Sequence, residues 1–414
     1  MVKSTLILLV WLVIISGSNL YAQQKSLDYF LDHAIQGSPL LKDYQFQAET
    51  NLVDSELIRA NYKPKVTGSS INTYAPVIGG YGYDKVVTNG GDFASVVGVN
   101  QVLVSRKNLD NQFEAIRIRN RGLGNDAKIT EQDLRRTITS QYITAYGTFR
   151  QLEFNRDVYT LLKKEEGILK TLTEKNVYRQ TDYLSFLVTL QQQGLLNRQL
   201  EIQYKNDCGT LNYLSGIADT TAVSLADPQM ELATLPDISQ SVFFRQFDLD
   251  SLQLINSRQM IGFNYKPKLS VYADAGFNSS LSYLPYKNFG ASFGFSLTVP
   301  IYDGHQRRMQ YAKLDIAERT RNFHRQFFNT QYLQQTRQLQ QQLRATEELI
   351  SQINDQIRYS ESLISINGKL LETGDARIAD YIIALNNYLG AKNLLTQNSI
   401  TRMQIINQIN YWNR

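Results

Sequence analysis

The sequence predicts a mainly α-helical chain of 414 residues with a smaller β component, built as two copies of one unit. Three observations lead there: a pair of repeated motifs, two long tracts without proline, and short segments that alternate apolar and polar residues. Asn61-Tyr62-Lys63-Pro64-Lys65-Val66 returns as Asn264-Tyr265-Lys266-Pro267-Lys268-Leu269. Thr181-Asp182-Tyr183-Leu184 is echoed by Ala379-Asp380-Tyr381-Ile382. The two matches share an order and nearly an offset, so the repeating unit is about 200 residues. Proline is absent between Pro76 and Pro228 and again after Pro300. Both tracts are rich in Leu, Gln, Arg, Glu, Lys, Ala and Ile, so they can carry long helices.

The elements follow in order. Met1-Val2-Lys3, an apolar run from Leu6 to Ile15 and a small residue at Ala22 describe a secretory signal peptide over 1–22. Repeat 1 occupies 23–217. Its opening helix covers Leu27 to Asn61, and a β-hairpin spans 65–104 with strands at Lys65–Tyr74 and Asp92–Val104. A long helix runs 108–174 and a return helix 181–214. Residues 218–240, with Thr220, Thr221, Pro228 and Pro236, read as a linker. Repeat 2 occupies 241–414: an opening helix Phe243–Phe263, a hairpin 268–301, a long helix 304–371 and a return helix 376–412. Asn176 and Gly374 mark the reversals between long and return helices, because both tolerate a left-handed backbone. In Gln331–Gln352 a sparse stripe of Leu333, Leu339, Leu343, Leu349 and Ile350 fits a coiled-coil seam.

The second hairpin alternates cleanly. Leu269, Val271, Ala273, Ala275 and Phe277 stand between Ser270, Tyr272, Asp274, Gly276 and Asn278. Phe289, Ala291, Phe293, Phe295, Leu297, Val299 and Ile301 stand between Gly290, Ser292, Gly294, Ser296 and Thr298. A strand turns successive side chains to opposite faces, and about 9–11 tilted residues cross a bilayer. Leu269, Val271, Phe277, Phe289, Phe293, Phe295, Leu297 and Val299 are therefore expected to face lipid, and the small polar residues water. The first hairpin is less clean: Phe93, Val97, Val99 and Leu103 line one face, interrupted by Ser95 and Gln101, and Val96, Val102 and Val104 make the other face partly apolar. A sheet in lipid has to close, and four strands cannot close alone, so other chains must complete it. The small polar inner face favours a wide barrel over a filled one.

Other classes are excluded. No further stretch approaches 18 apolar residues, so no other helix can span a membrane. Cys208 is the only cysteine, so no intrachain disulfide can form. A net charge of +5 spread along helices argues against nucleic acid as a partner. His33, His305 and His324 have no paired spacing, and Asp157, Glu165 and Glu166 read as solvated charges of helical faces. No phosphate loop, zinc spacing or nucleophile elbow occurs. The expectation is a protein that is not an enzyme, with no cofactor and no metal site.

Leu297-Thr298-Val299-Pro300-Ile301-Tyr302-Asp303-Gly304 is similar to the strand-to-helix junction of the TolC-like outer-membrane efflux proteins. So is a small residue at each reversal followed six residues later by aspartate, Gly374 to Asp380 and Asn176 to Asp182. The resemblance covers nearly the whole mature chain. It implies a homotrimer whose strands form a 12-stranded barrel in the outer membrane of a Gram-negative bacterium, against outer-membrane lipid, continued by a coiled-coil tunnel in the periplasm. It also implies a passive exit duct of a tripartite efflux or type I secretion system, working with a periplasmic adaptor protein and an inner-membrane transporter. The gate would lie at the periplasmic helix tips. Asp182 and Asp380 would form carboxylate rings, Arg377, Arg179, Tyr178, Tyr183 and Tyr381 would hold the closed state, and Asn176 and Gly374 would shape the turns. Helix capping is the plainer reading of the two aspartates, since a helix N-terminus favours acidic residues. The rival class is a secreted or surface structural protein, a helical filament or adhesin with a small β insert. The cargo is not written in the sequence.

Overall fold

A computed structural model describes residues 24–412, apart from 85, 89, 234–240 and 281–283. The expected signal peptide and the end of the expected linker lie outside the described residues. The element order is α1 (Leu27–Gly37), α2 (Pro39–Asn61), β1 (Lys65–Tyr74), β2 (Gly91–Leu103), α3 (Arg106–Glu174), α4 (Gln180–Leu214), α5 (Val242–Asn264), β3 (Lys268–Ser279), β4 (Phe289–Thr298), α6 (Gln306–Thr373) and α7 (Ile378–Trp412). The long helices α3 and α6 have 69 and 68 residues, hence a length of about 100 Å each.

One expected element is split. The opening helix, read as continuous from Leu27 to Asn61, breaks at Ser38 (ψ 116°) into α1 and α2. Pro39 is the cause, because its ring pushes the preceding residue out of the helical region. Pro39 then starts α2, where its missing N–H costs nothing.

The chain divides into two compact units, each drawing matching pieces from both halves. Among the described residues, one takes those within 24–41, 128–241 and 330–412; the other takes those within 42–127 and 242–329. The two segments of the second unit start about 200 residues apart, the spacing of the repeated motifs.

In the second unit the strands form one antiparallel sheet in the order β1-β2-β3-β4. Pairing keeps the alternation in register. Leu269 faces Leu297, Val271 faces Phe295, and Phe277 faces Phe289. On the other face Ser270 pairs with Ser296, Asp274 with Ser292, and Gly276 with Gly290. Directly opposed residues share a face, so Val97, Val99 and Leu103 of β2 join the apolar side through Ala275, Ala273 and Leu269. The polar interruptions of that side have partners: Ser95 bonds Ser70 at 2.8 Å, and Gln101 donates to the Tyr62 carbonyl.

The first unit is a helical bundle. Buried residues on α6 fall at Tyr332, Thr336, Leu339, Leu343, Ile353, Ile357, Ser360 and Leu371. These positions keep a heptad rhythm, the mark of a left-handed supercoil. The seam differs from the expected stripe: Leu339 and Leu343 are on it, whereas Leu349 is 43% exposed. Tyr332 and Thr336 take seam positions because the 3.5 period, not residue polarity, decides which side faces the partner helix. On α4 the same rhythm runs through Phe186, Leu190, Gln193, Tyr204, Asp207 and Leu211. Polar seam members are bonded to α3: Gln193 donates to Asn155 at 2.6 Å, and Thr148 donates to Asp207 at 2.7 Å.

The described part of the linker is not a loose tether. Leu225 is buried and forms a parallel bridge with Lys25, and the Tyr142 hydroxyl reaches the carbonyls of Lys25 (2.9 Å) and Ala226 (2.6 Å). The Tyr204 hydroxyl donates to Val223, and Asn410 holds both Glu231 and Ala233. Tyr142 is fully buried, so its hydroxyl must keep these bonds. Tyr142→Phe is expected to destabilise the bundle by about 1–2 kcal/mol, read as a lowered thermal midpoint, and to raise proteolytic cleavage within 218–233.

Candidate functional site

Two places concentrate unusual features: the helix tips of the first unit and the open sheet of the second. At the tips α3 ends at Glu174 and α4 starts at Gln180, with Asn176 left-handed (φ 62°) between them. α6 ends at Thr373 and α7 starts at Ile378, with Gly374 left-handed (φ 83°). These two residues bend the chain where the sequence placed the reversals. A side chain at Gly374 would also meet Val177 at 2.9 Å, so the two turns touch. Tyr178 joins them further: its hydroxyl donates to the carbonyls of Leu371 (2.8 Å) and Ala376 (3.0 Å). The first carbonyl belongs to the last turn of α6, where it also accepts from the Gly374 N–H at 3.3 Å, and the second to the turn that follows. Burial, then the nearby Asp375, pushes the Tyr178 phenol above its ordinary pKa.

The other residues singled out from the sequence take distinct positions. Arg377 and Asp380 form a two-pronged pair within one chain, at 3.0 and 3.1 Å, with Arg377 84% exposed. Asp182 is half-buried in the first turn of α4, where the helix dipole favours it. Tyr381 is 2% exposed, inside a cluster with Leu162, Leu169, Phe186, Leu371 and Leu385, and so is a core residue of the tip. Burial, then Glu165, pushes its phenol up to about 12.

Glu165 is a correction. It is 6% exposed and not a solvated charge of a helical face. It lies between the fully buried Leu162 and Leu169, with steps of three and four residues, which put it on the α3 seam. Its Oε2 has no hydrogen-bond partner, and burial followed by the charge of Glu372 holds its carboxyl above the usual range. The Leu162-Glu165-Leu169 spacing was the signal in the sequence. The adjacent run of charges from Lys163 to Glu166 hid it.

In the sheet, Phe289, Phe293, Phe295 and Leu297 are 73%, 90%, 74% and 59% exposed. Leu269, Val271 and Phe277 stand on the same face, and Val299 follows just past the end of β4. Apolar surface of this extent on one side of a sheet marks contact with a partner or a membrane. β1 and β4 are edge strands, and each is exposed along its length apart from Gly294. Their unpaired backbone groups are open to another strand. On β3 and β4 the opposite face is mostly small and polar, while β1 and β2 add Ile71, Val96 and Val102 to it; there the Tyr272 ring lies against Gly294, so close that a Cβ at Gly294 would sit 2.7 Å from its hydroxyl. Among the described residues no helix is long and apolar enough to cross a membrane, and no group of acidic, histidine or cysteine side chains could hold a metal ion.

No family model matches the chain, and no curated protein matches it in sequence. Its fold is similar to solved structures over nearly its whole length. The outer membrane protein VceC from Vibrio cholerae is 11% identical, with a TM-score of 0.71, over 94% of this chain and 96% of that one. The Campylobacter jejuni CmeC outer membrane channel is 13% identical, with a TM-score of 0.73, over 94% and 85%. The open state of the Neisseria gonorrhoeae MtrE outer membrane channel is 12% identical, with a TM-score of 0.72, over 93% and 88%.

Proposed function

From a chain with the fold of these outer-membrane channels, we propose a subunit of a passive outer-membrane exit duct. The single observation that carries this reading is the sheet: in-register strands, one face of exposed aromatic and aliphatic side chains, an opposite face that is mostly small and polar on β3 and β4, and two unpaired edges. In lipid such edges have to pair, so β1 of one protomer meets β4 of the next. Three protomers close a 12-stranded barrel with a watery interior.

The helices support the same assembly. Phe46, Val53 and Leu57 on α2, and Met309, Ile316, Phe323 and Phe327 on α6, are all at least 55% exposed. Each set falls on one stripe at coiled-coil spacing. In the bundle, Leu184, Val188, Leu195 and Ile202 leave a similar open stripe on α4. Such stripes are unfilled seams, and neighbouring protomers fill them.

In this reading the duct sits in the outer membrane of a Gram-negative bacterium and reaches into the periplasm. There it receives cargo from an inner-membrane transporter through a periplasmic adaptor. It performs no chemistry; the transporter supplies the energy. The tips form the gate, and Asp182, Asp380, Arg377 and Tyr178 set its closed form. Replacing Arg377 by alanine together with Asp380 by asparagine is expected to raise single-channel conductance in a planar bilayer several-fold. An unchanged conductance removes this pair from the gate.

A further inference from the structure

Glu165 is a costly residue for a helical tip. It occupies a seam position between Leu162 and Leu169, two members of the cluster that also holds Phe186, Leu371 and Tyr381. Among the described residues it has no ion pair, and its Oε2 has no hydrogen-bond partner. A buried carboxylate without a partner is strongly disfavoured, whereas the neutral acid is tolerated. The charged and titratable groups around it do not relieve the cost. Glu372 of α6 adds like charge, Tyr381 of α7 is neutral, and Lys164 of its own helix helps but is exposed to water. α4 contributes Phe186 and Tyr183 to the cluster, and no charged group of α4 acts on Glu165.

We infer that Glu165 is a proton-operated latch: protonated, it allows the four tip helices to pack closed; ionised, it drives them to loosen so that water reaches the carboxylate. The functional meaning of the latch, a gate that opens more readily as pH rises, rests on the duct reading above. The direction follows from linkage. The packed tip holds the proton more tightly than a loosened tip does, so packing is favoured at acidic pH and weakens as pH rises. One proton can change the packing equilibrium by at most about tenfold per pH unit.

The test is hydrogen–deuterium exchange on the detergent-solubilised full chain from pH 5.5 to 8.5, corrected for intrinsic rates. Peptides covering 158–174 and 371–385 report the tip. The wild type should lose protection there by several-fold as pH rises. Glu165→Gln, which is neutral at every pH and nearly the same shape, should stay protected throughout. Glu166→Gln, altering the half-buried neighbour that pairs with Lys163, should keep the wild-type profile. The same profile in wild type and Glu165→Gln, or a flat profile in wild type, overturns the latch. Bilayer conductance separates the two readings: no conductance from any of the three proteins at any pH counts against the duct and leaves the exchange result standing.

Discussion

Replacing Phe293 and Phe295 together by arginine is expected to abolish membrane assembly. Both rings stand on the apolar face of β4 and are 90% and 74% exposed in the single chain. With hydrocarbon against that face, each arginine near the bilayer midplane costs about 2–4 kcal/mol, a large share of any domain's stability. The doubly substituted chain should stay in the periplasm, run as a monomer and be degraded. Ser296→Arg is the matched control. Ser296 lies on the opposite face, paired with Ser270. An arginine there meets water, so assembly should survive while ion conductance changes. The filament or adhesin reading predicts the reverse, because in a soluble protein two arginines at highly exposed positions are close to neutral. Membrane fractionation of the three proteins decides between them.

The second large effect is expected at Gly276. It pairs directly with Gly290, yet the two glycines differ. A Cβ at Gly276 would lie 2.3 Å from the Ser95 carbonyl oxygen and 2.5 Å from the Val96 Cα, both backbone atoms of β2. A Cβ at Gly290 would meet nothing within 4 Å. Backbone in the middle of a sheet cannot move aside as a side-chain tip can, so Gly276→Val has to separate β2 from β3. Overpacking alone costs about 1–3 kcal/mol, and broken ladder bonds add to it. The variant should lose heat-stable oligomer on gels, whereas Gly290→Val should retain it. Equal behaviour of the two variants would contradict the register described here.

Much of this arrangement was legible in the sequence because it rests on local rules. Strand alternation in 268–301 reports a two-sided environment directly, and the structure keeps it in register across β3 and β4. Proline-free tracts mark the long helices, and Asn176 and Gly374 mark the reversals through their tolerance of positive φ. What stayed hidden depends on partners distant in the chain. Glu165 looked solvated because charged neighbours surround it in sequence, while the groups that reveal its setting, Glu372 on α6 and Tyr381 on α7, are about 200 residues away in the chain. The segment 218–233 read as a linker because its anchors, Tyr142, Tyr204 and Asn410, are far away in sequence. Thr336 and Ser360 did not look like seam residues because a coiled-coil seam is set by spacing, and polar side chains take such positions at a cost in stability. The break at Ser38 was readable, since proline restricts the residue before it. A strong helical pattern on both sides masked it.

The central claim is that each chain supplies one third of a closed sheet solvated by lipid outside and water inside. The most direct measurement is the mass of the particle extracted from outer membranes in mild detergent, by native mass spectrometry. The account predicts three chains per particle, dissociated by heat. A single chain, monodisperse and soluble with no detergent present, would contradict it.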